Sequence, residues 1–175
     1  ASDGNVISPP RVFGSFGDPA LLISQSKVAT IGYISTATNV WDAVAGIGPS
    51  NTDTDPGTML VLDGANTGAT ARVQPGVRNP RTAVGVNAAG TTLYLCEIDG
   101  RQTGWSVGMT LPELADLFLE KGAWRAVNLD GGGSSSFVYK RPDNTILQNR
   151  PSEGSFRAVS NHLGIRLLPS PATDR

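Results

Sequence analysis

The chain has 175 residues, of which 21 are Gly and 12 Pro; 17% are charged and the formal net charge is -1. This length supports one domain with its own core and excludes a multidomain machine. A lone cysteine, Cys96, excludes an internal disulfide framework, the absence of a basic run excludes a dedicated nucleic-acid binder, and no apolar run has the length of a bilayer span.

Residues 1–20 read as irregular, and no charged-then-apolar leader opens the chain at Ala1. Alternating apolar residues over 21–34 predict a hairpin. Residues 35–57 read as a long polar loop with an apolar patch at 40–44, and 59–62 as a short buried strand. A Gly-, Asn- and Pro-rich stretch fills 63–80. Strands over 82–87 and 92–99, joined by a turn at Ala89-Gly90, predict a second hairpin. The clearest helix follows: Thr110 as N-cap with Glu113 three residues on forms a capping box, and Pro112 sits in the first turn. Leu111, Leu114, Ala115, Phe118 and Leu119 repeat at helical spacing, and Gly122 marks the stop. A strand over 126–130 runs into a glycine triplet, a third hairpin surrounds Pro142-Asp-Asn, and 162–168 reads as a closing strand before a fraying tail.

Three constellations carry the chemistry. In Asn128-Leu-Asp-Gly-Gly-Gly-Ser-Ser-Ser136 a strand delivers Asp130 to its end. The glycines then admit close approach of a ligand, successive N–H groups can form an anion nest, and Ser134, Ser135 and Ser136 add hydroxyls. Such a site suits a sugar, a phosphate or both; the alternative is a flexible Gly-Ser loop. In Glu97-Ile-Asp-Gly-Arg101 a second carboxylate, Asp99, stands where a strand meets glycine, with Arg101 two residues on. A hairpin turn with a local ion pair is the competing reading. Asp99 and Asp130 together meet the two-carboxylate requirement of glycosyl transfer to water. Arg81, at the start of a strand, and Arg157 are candidate phosphate ligands, although either arginine alone reads first as a surface charge.

The remaining signals are weaker. His162, the only histidine, reads as a half-buried strand residue before it reads as a general base. Cys96 reads as a small core residue. Asn51-Thr-Asp-Thr-Asp-Pro-Gly57 resembles the start of a calcium loop, but Pro56 displaces the glycine and Leu62 stands where the closing glutamate belongs. Asp53 and Asp55 are therefore weak metal candidates against an ordinary Asx-turn loop. No cofactor is expected beyond that calcium alternative.

The blocks Asn79-Pro-Arg-Thr-Ala-Val-Gly, Ile98-Asp-Gly-Arg, Ser106-Val-Gly-Met-Thr-Leu-Pro-Glu-Leu-Ala, Asn128-Leu-Asp-Gly-Gly-Gly-Ser and Arg157-Ala-Val-Ser-Asn, in this order over roughly residues 76–168, resemble the phosphodiester glycosidase family. The resemblance implies a strand-rich α/β (α+β) single domain with a mixed sheet, few helices and long Gly/Pro-rich loops. It implies a hydrolase that removes a sugar from a sugar-1-phosphodiester or related glycoconjugate, acting in a secreted, periplasmic or cell-surface setting. Carried over by position, the functional residues are Arg81, Asp99, Arg101, Asp130, Gly131, Gly132, Ser134, Arg157 and Asn161. Asp130 is expected at the anomeric centre as nucleophile or base, with Asp99 orienting the sugar or sharing acid/base work. One departure is an earlier Asn-Gly-Phe-Phe-like strand that this chain does not show. The expectation is that this part is absent from the chain or supplied as a separate polypeptide. Two other functions stay open: a glycoside hydrolase or transglycosidase acting on a cell-surface polysaccharide without phosphate, and a non-catalytic carbohydrate- or phosphate-binding module.

Overall fold

A computed structural model of the chain describes residues 2–5, 7, 12–13, 16–33, 40–46, 59–159 and 162–166. Its strands, in chain order, are β1 (Val12–Phe13), β2 (Phe16–Gly17), β3 (Pro19–Ile23), β4 (Ala29–Tyr33), β5 (Asp42–Ala45), β6 (Val61–Leu62), β7 (Ala65–Asn66), β8 (Arg81–Val86), β9 (Leu93–Ile98), β10 (Arg125–Asn128), β11 (Val138–Lys140) and β12 (Ile146–Gln148). Helix α1 (Leu111–Glu120) lies between β9 and β10, and short 3-10 turns occupy Gly68–Thr70 and Gly132–Ser134. Among the described residues, no helix is long and apolar enough to cross a membrane.

The strand-rich, helix-poor fold follows from the alternation along β8. Ala83, with Ala126 of β10, faces α1 and its buried residues Leu111, Leu114, Ala115 and Phe118. Val84 and Val86 face the opposite way, onto Leu21, Ala29 and Ile31 of the β3–β4 hairpin. A side chain at Gly85 would collide with Phe118, its Cβ standing 2.6 Å from the ring, so the absence of one lets the helix settle on the sheet. The result is three layers: α1, a five-stranded sheet in the order β7-β6-β10-β8-β9, and a three-stranded sheet in the order β4-β3-β5.

The resemblance implied a mixed sheet, and each strand pairing among the described residues is antiparallel. The α/β character survives in a different form. Because β8 is antiparallel to both β9 and β10, those two run the same way with β8 between them and α1 crossing over.

The expected helix ends are built as read. Glu113 N–H donates to Thr110 Oγ1 at 3.4 Å and Thr110 N–H to Glu113 Oε2 at 3.0 Å, closing the capping box. At the other end Gly122, at φ +91, donates to Leu119 O, and Ala123 donates to Phe118 O. That pair of bonds satisfies the last carbonyls of the helix.

Two expectations for chain segments need correction. The stretch read as a polar loop over 35–57 contains β5, whose Asp42–Ala45 residues pair with β3. A four-residue edge strand draws its stability from that neighbour rather than from its own sequence. Residues 162–166, read as part of a closing strand, are not in a strand. Leu163 packs against the core but Ile165 is 62% exposed, so among the described residues no layer covers the apolar face that the alternation suggested. Asp53, Asp55 and Asn161 lie outside the described residues, and no group of metal-ligating side chains occurs among those described.

Candidate active site

Strand β8 begins with two residues that face opposite ways. Thr82 turns toward the three-stranded sheet, where it pairs in register with Glu97 of β9. Leu129 N–H donates to Thr82 O at 2.8 Å, which carries the chain from β10 over this face to Asp130. A cavity of about 250 Å³ opens here, and Thr82, Glu97, Asp130, Ser134, Ser136 and His162 supply its polar lining. Val84 and Leu95 supply apolar wall, so the cavity has the mixed character of a small-molecule site.

The turn after Asp130 is fixed from outside. Gly132 N–H donates to Pro80 O at 3.0 Å, and the N–H groups of Ser134 and Ser135 donate to the carbonyls of Gly131 and Gly132. The N–H groups of Gly132, Ser134 and Ser135 are therefore engaged within the protein, and the turn also offers hydroxyls. The Glu153 carboxylate lies over the turn, its Oε1 2.0 Å from where a Cβ of residue 133 would stand. Glu153 pairs with Arg157 at 3.6 Å, and Arg157 Nη2 donates to Ser134 Oγ. Arg157 thus reaches the cavity through a hydroxyl that lines it. Ser136 Oγ is buried without a hydrogen-bond partner among the described residues.

Arg101 sits behind the same turn. Its Nε and Nη2 donate to Asn79 Oδ1 at 3.1 and 3.0 Å, and its guanidinium packs 3.3 Å from where a Cβ of Gly132 would stand.

Two expected site residues lie elsewhere. Arg81 shares the helix-facing side of β8 and is 3% exposed. Its Nε donates to Met109 O at 3.1 Å, Nη1 to Val73 O at 3.1 Å, and Nη2 to Gln74 O at 3.0 Å and Val77 O at 2.7 Å. Val73 and Gln74 stand at φ +71 and +55, a conformation costly for a β-branched residue, and Arg81 ties both carbonyls in place. Burial and then the Arg101 charge push its guanidinium below the usual arginine range. Four bonds to neutral carbonyls engage the fork that the expected phosphate contact would use.

Asp99 is the second. Its Oδ2 accepts from Trp105 Nε1 at 2.7 Å, and its Oδ1 from Arg150 N–H at 3.0 Å and Asn149 Nδ2 at 3.2 Å. It organises the edge where Arg150 lies 5.5 Å over the Trp105 ring rather than lining the cavity with Asp130.

The sequence reading passed over Glu97. Burial, and then the Asp99 charge, push its carboxyl up to about 7, against the lowering effect of a hydrogen bond from Asn149. The available signal was a carboxylate inside the apolar run Leu93–Ile98, at the parity of Leu95 rather than of the core residue Cys96. Cys96 is pushed up to about 11 by burial and by Glu97, which fits its expected part as a core thiol.

A protein of Bacillus subtilis (strain 168), described as SPbeta prophage-derived and uncharacterized, is 38% identical over 98 residues, covering 56% of this chain and 14% of its own. The bovine (Bos taurus) N-acetylglucosamine-1-phosphodiester alpha-N-acetylglucosaminidase is 39% identical over 77 residues, covering 44% of this chain and 13% of its own. The zebrafish N-acetylglucosamine-1-phosphodiester alpha-N-acetylglucosaminidase catalytic domain, auto-inhibited by its pro-peptide, shares the fold at a TM-score of 0.56 and 21% identity, over 77% of this chain and 45% of that one. The chain thus spans under half the length of each of these relatives. Residues 2–166 match the phosphodiester glycosidase family, so the first 75 residues share in the likeness that the sequence showed best over 76–168. The chain belongs to the phosphodiester glycosidase family.

Proposed function

We propose that the chain carries a glycosidase site that releases a sugar from a sugar-1-phosphodiester, with the cavity beside Asp130 as the reaction chamber. One observation supports this most: a carboxylate, a serine hydroxyl and an arginine bonded to that hydroxyl converge on one small cavity at the end of β10. The carboxylate of Asp130 acts at the anomeric carbon, where positive charge develops as the bond to the phosphodiester oxygen breaks. Arg157 and the Ser134 hydroxyl hold the phosphate oxygens, and Ser136 offers a further hydroxyl. In the net reaction the water oxygen bonds to the anomeric carbon. The electron pair of the broken bond leaves on a phosphate monoester, and one proton passes to solvent by way of Asp130. Arg101, Gly131 and Gly132 shape the turn that presents Ser134, and Arg81 and Asp99 hold the loops around it.

The sugar-1-phosphodiester is carried over from the family and from the name of the bovine relative, and a secreted, periplasmic or cell-surface site of action is proposed with it. A second reading, a glycoside hydrolase whose substrate lacks phosphate, draws on the engagement of Arg81 by carbonyls. A side-by-side assay of a sugar-1-phosphodiester and a neutral aryl glycoside separates them. Preference for the phosphodiester is expected; equal or better turnover of the aryl glycoside supports the second reading.

A further inference from the structure

We propose that Glu97 is a specificity-determining residue of this cavity, whose carboxyl group, carrying its proton, donates a hydrogen bond to an anionic oxygen of the phosphodiester. The inference rests on the phosphodiester reading above and adds the group that admits an anion beside Asp130.

The geometry assigns the proton. Asn149 Nδ2 lies 3.0 Å from Glu97 Oε1 and 3.2 Å from Asp99 Oδ1, so one amide serves two carboxyl groups. Asp99 also accepts from Trp105 Nε1 and from Arg150 N–H, so the donors of this edge gather on Asp99. Glu97, half-buried and facing the cavity, has the Asn149 amide alone among the bonds described, and a second charge next to Asp99 is unfavourable there. Burial, few donors and the neighbouring Asp99 charge together favour the protonated form of Glu97. Near neutral pH the cavity then carries one fewer negative charge and gains a donor, both of which favour an anionic substrate. An ionised Glu97 would repel the phosphodiester that Arg157 attracts.

Among the described residues, the other titratable groups around Glu97 are Asp99 on its own edge, Asp130 from the turn, His162 from the C-terminal segment and Cys96 beside it on β9; the Arg157–Glu153 pair stands at Ser134. Of these, His162 ordinarily changes charge in the same pH range and needs its own control.

The test measures kcat/KM for a sugar-1-phosphodiester from about pH 5 to pH 9 in the wild type, Glu97→Gln and His162→Gln. In the wild type kcat/KM is expected to fall about tenfold per pH unit above about pH 7. Glu97→Gln, which keeps a neutral donor, is expected to lose a few-fold at low pH and then stay flat, while His162→Gln keeps the wild-type limb. A limb that persists in Glu97→Gln, or that disappears in His162→Gln, overturns the inference. Loss of turnover in Glu97→Gln as complete as in Asp130→Asn also overturns it, because Glu97 would then transfer its proton. Calorimetric binding of diethyl phosphate separates this inference from the proposed function. Weaker binding at about pH 8.5 than at about pH 6, abolished by Glu97→Gln, upholds the inference even if no sugar phosphodiester is hydrolysed. Binding by the wild type that does not change with pH refutes it whatever the activity.

Discussion

Glu97 and Asp99, on the same face-alternating edge of the sheet, accept from one side-chain amide, that of Asn149, at 3.0 and 3.2 Å. The two carboxyl groups differ in every other respect. Asp99 is held by Trp105 and the Arg150 backbone at the surface, whereas Glu97 turns into the cavity with Asp130. In these unequal surroundings Asp99 ties the edge together, while burial and the Asp99 charge push the Glu97 carboxyl up to about 7.

This inequality has a consequence for stability. The folded Glu97 releases its proton at about 7, above the ordinary value of 4.5. The unfolded chain therefore ionises first, and stability is full below about pH 4.5 and declines as pH rises toward about 7. Glu97→Gln removes that decline. Its Tm is expected to match the wild type at about pH 4 and to exceed it at about pH 8; parallel Tm curves for the two proteins would contradict the account.

Arg81 and Arg157 are expected to part company. Arg81→Lys leaves several carbonyls of the 73–77 loop and Met109 without their donor, because an ammonium cannot span four acceptors as a fork does. Loss of about 3 kcal/mol of stability is expected in denaturant unfolding, with similar loss of activity on phosphodiester and plain glycoside. A stable Arg81→Lys protein with selective loss on the phosphodiester would restore Arg81 to the phosphate.

Arg157→Ala removes the cation at Ser134 and leaves the core untouched, since Arg157 is exposed. KM for a sugar-1-phosphodiester is expected to rise about tenfold to a hundredfold, with an aryl glycoside little affected. Steady-state kinetics on both substrates give the answer, and equal effects would deny Arg157 a phosphate role.

Thr110→Ala tests the helix reading separately from the site. Removing the capping hydroxyl is expected to cost about 1 kcal/mol in denaturant unfolding. No change would show that the tertiary contacts of α1 alone fix its start.

Local chemistry made part of this fold legible. The capping box at Thr110, the Gly122 stop and the β8–β9 hairpin each rest on residues within a few positions of one another, and each is where the pattern put it. Strand β5 was not legible because Asp42–Ala45 becomes a strand only by pairing with β3. The apolar alternation after His162 has no comparable strand partner among the described residues. For the site, sequence order brings Asp130 and Ser134 to one turn, and both line the cavity. An arginine opening a strand gives no sign of which face it takes, and the helix face of β8 put Arg81 against carbonyls rather than a ligand. Glu97 reads as one polar residue in an apolar strand until the register sets it opposite Thr82.

The most direct measurement of the central claim is the hydrolysis of a sugar-1-phosphodiester followed by phosphorus NMR, in the wild type and in Asp130→Asn. The account predicts that the wild type converts the phosphodiester signal into that of a phosphate monoester with release of free sugar. Asp130→Asn should melt as the wild type does yet turn over about a hundredfold to ten-thousandfold more slowly. A wild type that releases no monoester, or an Asp130→Asn variant that releases it at the wild-type rate, would contradict it.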